Sequence, residues 1–65
     1  MTEQIIRQHR NIWLIDKPNY RDVPVVTLRQ AAAMVRYYWG DGTPIRVIYR
    51  NRLQRWLHRR QEKTL

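Results

Sequence analysis

The sequence predicts a small α+β domain, on three observations: two short β-branched and aromatic runs early in the chain, a capped helical pattern in the middle, and an arginine-rich helical pattern at the end. The expected architecture is an N-terminal β-hairpin (about 11–15 and 23–26) packed on two helices (about 27–39 and 44–62) in a helix-turn-helix-like arrangement. The chain, 65 residues long, reads as one domain, with 1–10 as a short helix turn or a frayed tail, the tail being partly ordered, and 62–65 as a C-terminal tail. A chain this short buries only ~60% of its unfolded surface, so its margin of stability is thin. Cysteine is absent, which removes disulfides and Cys-based metal sites, and His9 and His58 lie far apart with no ligand spacing around them. The expectation is no metal and no cofactor. Stability must then come from aliphatic residues plus Trp13, Trp39 and Trp56, or from a second copy of the chain.

Asn11 to Ile15 is β-branched and aromatic, which favours a strand. Pro18 and Asn19 supply a turn. Val23 to Val26 reads as a second strand, confined to a sheet edge by Pro24. Two strands alone are marginal and need a helix over one face. Thr27 with Gln30 matches a capping box. Leu28, Ala31, Ala32, Val35 and Trp39 recur at helical spacing, so the helix should run to about Trp39 and stop at Gly40-Asp41-Gly42.

Thr43-Pro44 reads as N-cap and first residue of a second helix, because proline there sacrifices no hydrogen bond. Ile45, Ile48, Tyr49, Leu53, Trp56 and Leu57 follow at helical spacing. A competing strand reading exists, since Ile45, Val47 and Tyr49 also alternate. The Thr-Pro start and the stripe continuing through Leu57 favour helix.

Charge carries the functional expectation. The chain has thirteen basic and five acidic residues, formally +8. Residues 46–65 hold seven basic and one acidic residue, and therefore +6 of that total. Arginine outnumbers lysine eleven to two. Arg forks onto phosphates and stacks on flat rings, so nucleic acid is the expected partner. No acid lies between Asp41 and Glu62, so Arg46/Arg50, Arg52/Arg55 and Arg55/Arg59 repel without compensation inside a helix. A polyanion would supply that compensation. On a 44–62 helix, Arg52, Arg55 and Arg59 form one flank of the apolar stripe, and Arg46 and Arg50 the other. Asn51, Gln54 and His58 face away from it, where amides could read base edges. The expected nucleic-acid-binding set is Arg46, Arg50, Asn51, Arg52, Gln54, Arg55, His58, Arg59 and Arg60. Asn51, Gln54 and His58 also suit ordinary solvated surface. Trp39 and Trp56 are expected in the core, and Tyr37 exposed.

Enzymatic function is not expected. Serine and cysteine nucleophiles are missing and the five acids are scattered. The longest apolar run, Ile12 to Ile15, is far short of a membrane span or signal core, so the expected setting is cytoplasmic, on the nucleoid if the partner is DNA. No small-molecule substrate and no membrane partner are expected.

Residues Val26 to Val35 resemble the first helix of small excisionase-type and MerR-type helix-turn-helix modules, which often open on a Thr-Leu cap and a paired Ala-Ala. Thr43 to Arg50 is similar to their recognition helix, and Leu53-Gln54-Arg55-Trp56-Leu57 to their closing Leu-x-x-Trp-Leu. About thirty residues are covered. The connection Tyr37 to Gly42 is longer than the family's tight turn, and no wing hairpin follows. The resemblance implies duplex DNA binding in gene regulation or as a recombination accessory factor, with Arg46, Arg50 and Asn51 at recognition positions. A dimer would double the half-site contacts. Small basic chains of this kind are typical of phage and plasmid accessory proteins. RNA or ribosome binding, and docking of the basic helix on an acidic host protein, are the alternatives the composition leaves open.

Overall fold

In the computed structural model, which describes residues 2–65, four strands form one mixed sheet that carries three helices. The strands are β1 (Gln4–His9), β2 (Ile12–Lys17), β3 (Tyr20–Val25) and β4 (Ile45–Ile48); the helices are α1 (Leu28–Trp39), α2 (Arg52–Leu57) and α3 (Arg59–Lys63). The sheet order is β3-β2-β1-β4, antiparallel except for the parallel pair β1/β4.

The expected hairpin is present and longer than the sequence suggests. Trp13 pairs with Val25, Leu14 with Pro24 and Ile15 with Val23. Pro24 lies on an edge strand, where its missing N–H costs no ladder bond. Asn19, at φ 72°, makes the turn, as asparagine can.

The first correction concerns residues 1–10. Gln4–His9 is an interior strand, bonded to β2 on one side and β4 on the other, and not a frayed tail. Ile6 is 0% exposed at the centre of the core. The alternation Gln4, Ile6, Gln8 hides this strand, because only one of its three inward residues is apolar. Gln8 is tolerated inward because both ends of its amide are bonded. Its Nε2 donates to Gln54 Oε1 at 2.9 Å, and its Oε1 accepts from the Arg50 amide at 3.2 Å.

Helix α1 follows the sequence closely. Thr27 Oγ1 accepts from the Gln30 amide at 3.1 Å, and Leu28, Ala31, Ala32 and Val35 bury their side chains against the sheet. Gly40 ends it at φ 114°, a backbone angle suited to glycine. Tyr37 points to solvent, 81% exposed. Trp39 reaches the surface as well, donating its indole N–H to the Asp16 carbonyl at 2.8 Å.

The second correction is larger: the helix expected over 44–62 does not exist. Ile45–Ile48 is strand β4, and helix begins only at Arg52, with a break at His58. Thr43 is buried and caps no helix; Pro44, instead of opening one, offers its carbonyl to the Gln4 amide at 2.9 Å. The strand alternation wins because β1 leaves an edge for it to complete. Ile45, Val47 and Tyr49 turn toward the core, while Arg46 and Ile48 face out. With no helix at 44–50, α1 leads into a strand, and the corner between helices 27–39 and 44–62 is not formed.

Candidate nucleic-acid interface

The expected site residues divide over β4, the turn after it, and the α2–α3 pair. Arg46 projects from β4, an edge strand, and Arg50 from the following turn, so they do not share a helix flank. Both are exposed, as are Arg52, Arg55, Arg59 and Arg60.

Arg52, Arg55 and Arg59 remain on one side of the helix pair despite the break at His58. With Trp56, Glu62 and Lys63 they line one open groove of about 780 Å³. A second hollow of about 620 Å³ runs along β4, lined by Arg46, Asn51, Arg52 and Arg55 together with Glu3 and Glu62. The two share Arg52, Arg55 and Glu62, so cationic side chains follow one another from the sheet edge to the end of α3.

Gln54 and His58 hold the helix pair on the sheet, and Asn51 caps its first turn. Asn51 Oδ1 caps α2, accepting from the Gln54 amide at 2.9 Å. Gln54 is tied to Gln8 on β1. The His58 ring meets Trp13 edge-on at 5.2 Å and stacks on Tyr49 at 5.9 Å, with its Nδ1 2.9 Å from the Gln54 carbonyl. A bidentate contact to adenine would ask each of these amide oxygens to accept a second hydrogen bond.

Trp56 departs from expectation. It is 70% exposed on the groove wall and takes no part in the core. Of the three tryptophans it is Trp13, 3% exposed, that lies in the core, where it meets Tyr49 edge-on at 5.8 Å. Helical spacing identified Trp56 as lying on the face of Leu53 and Leu57, but that face turns outward.

Glu62, the lone acid of the basic segment, stands among these arginines and accepts a hydrogen bond from Tyr49 at 2.8 Å. Burial pushes the Tyr49 hydroxyl well above the ordinary phenol range. The bond to Glu62 and the charge of that carboxylate add to the rise, and Arg55 opposes it.

Among the described residues no group of His, Cys, Asp and Glu could hold a metal ion, and no helix is long and apolar enough to cross a membrane. Comparison with protein-family models, curated proteins and solved structures found no match for this chain.

Proposed function

We propose that this chain binds nucleic acid, gripping the phosphate backbone with the arginines of α2 and α3 and of the adjoining β4 edge. One observation carries the reading: Arg52, Arg55, Arg59 and Lys63 converge on a single open groove whose only acid, Glu62, is engaged by Tyr49. Like charges so placed repel one another. A line of phosphates relieves that repulsion and releases counterions on binding. Arginine, with its fork of donors, suits this task better than lysine.

Duplex DNA is the partner the sequence favours, in gene regulation or recombination accessory work. It presents about one charge per 1.7 Å of axis, dense enough to meet every cation of the groove. Arg46 and Arg50, exposed at the sheet edge, are the readiest base readers, since Asn51, Gln54 and His58 each already hold a bond within the fold, and most of the affinity is independent of sequence.

A salt titration of binding to duplex DNA tests the reading. Neutralising five to seven phosphates gives a log-log slope of about −4 to −6. Arg52→Ala, Arg55→Ala and Arg59→Ala should each weaken binding to all sequences and flatten the slope by about one. A slope shallower than about −2, unchanged in these variants, would remove phosphate as the main contact.

A further inference from the structure

The helix pair is mounted with its polar side inward. Gln54, His58 and Gln61 turn to the sheet and are half-buried, lining a hollow with Trp13 and Leu28. Leu53, Trp56 and Leu57 face solvent at 61%, 70% and 54% exposure, and α2 buries no residue. A surface helix ordinarily does the reverse. Clustered apolar exposure of this kind marks a place where something binds.

The neighbouring charges narrow what that occupant is. It must be apolar where it meets Trp56 and anionic beside it, where Arg52, Arg55 and Arg59 stand. A second copy of the chain would set cations against cations, thirteen basic residues against five acidic in each. A lipid surface calls for a longer continuous apolar face, and α3, Arg59–Lys63, has no apolar residue. A helical peptide docks through a row of apolar anchors, whereas Leu53, Trp56 and Leu57 stand here beside a groove lined by Arg52, Arg55, Arg59 and Lys63, which favours an anionic occupant. Duplex DNA hides its base faces inside the stack. A strand with unpaired bases presents flat apolar faces and phosphates together, the combination that aromatic platforms flanked by cations receive.

We propose that the α2–α3 face binds single-stranded nucleic acid, with an unpaired base stacked on Trp56 beside Leu53 and Leu57 and the flanking phosphates held by Arg52, Arg55 and Arg59. This rests on the nucleic-acid reading above and adds a second mode to it: duplex binding uses the arginines alone, and single-strand binding uses Trp56 as well.

The test measures the affinity of the full chain, at one salt concentration, for an oligothymidylate of about 15 nucleotides and for a duplex of equal length. Poly-glutamate and phosphatidylserine vesicles complete the set. Tryptophan emission should be quenched by the oligothymidylate. Trp56→Leu should abolish that quenching and weaken single-strand binding roughly 5- to 100-fold, while leaving duplex affinity within about twofold. The substitution is at an exposed position and leucine is a good helix former, so far-ultraviolet circular dichroism should match the wild type. Arg55→Ala should weaken both ligands. Unaltered single-strand binding in Trp56→Leu, with duplex binding still arginine-dependent, sinks the stacking mode and leaves the phosphate-binding reading standing. Tighter binding to poly-glutamate or to vesicles than to either nucleic acid overturns both.

Discussion

Tyr49 donates its hydroxyl proton to Glu62 across 2.8 Å, fastening the residue that follows β4 to helix α3. The same ring meets Trp13 edge-on and stacks on His58, so Tyr49 joins core, helix pair and charged groove at one point.

The proton on Tyr49 makes stability depend on alkaline pH. The folded state holds this phenol above its unfolded value of about 10. Its contribution is therefore fully present below pH ~10 and is lost as pH rises through the folded value. The stability advantage of the wild type over Tyr49→Phe, measured by urea denaturation, should be constant from pH 7 to 9 and shrink above 10. An advantage that grows with pH would show that the hydroxyl is not held by Glu62.

Asn51 should reveal its part through paired substitutions. Asn51→Ala removes the α2 cap and should cost ~0.5–2 kcal/mol of stability. Asn51→Ser keeps a capping oxygen and should recover most of that loss. Serine cannot make the two bonds to adenine that asparagine makes. Binding by Asn51→Ser should thus match the wild type on every sequence; a selective loss on one preferred site would return Asn51 to base reading.

Strand β4 has an exchange signature. The Gln4 amide donates to the Pro44 carbonyl, and the alternation of a parallel ladder then points the amides of Arg46 and Ile48 at β1. These two should exchange with solvent slowly, and those of Ile45 and Val47 fast. Ile6→Ala, in the strand that β4 completes, should cost ~2–5 kcal/mol, enough to unfold much of a domain this small. Uniform fast exchange over residues 45–48 would contradict the sheet edge described here.

Local chemistry was sufficient for the elements that carry their own signals. Thr27 caps α1 at the Gln30 amide, Gly40 stops it, and Pro24 marks an edge, because each acts through its own backbone or that of residues a few places away. The positive charge of residues 46–65 was equally legible, as composition does not depend on the fold. Two segments depended on distant partners. Gln4–His9 becomes a strand because β2 and β4 bond to it and because Gln8 finds Gln54 and Arg50, 46 and 42 residues away. Ile45–Ile48 carries both a helical and an alternating pattern. The free edge of β1 selects the strand, where hydrogen bonds and burial of Ile45 and Val47 are gained together. That choice ends the helical stripe at Tyr49 and lets α2 turn independently. Gln54 and His58 then meet the sheet while Leu53, Trp56 and Leu57 face solvent. Periodicity established that these three residues share a face, and only the packing of α2 on β1 and Trp13 decided that the face looks outward.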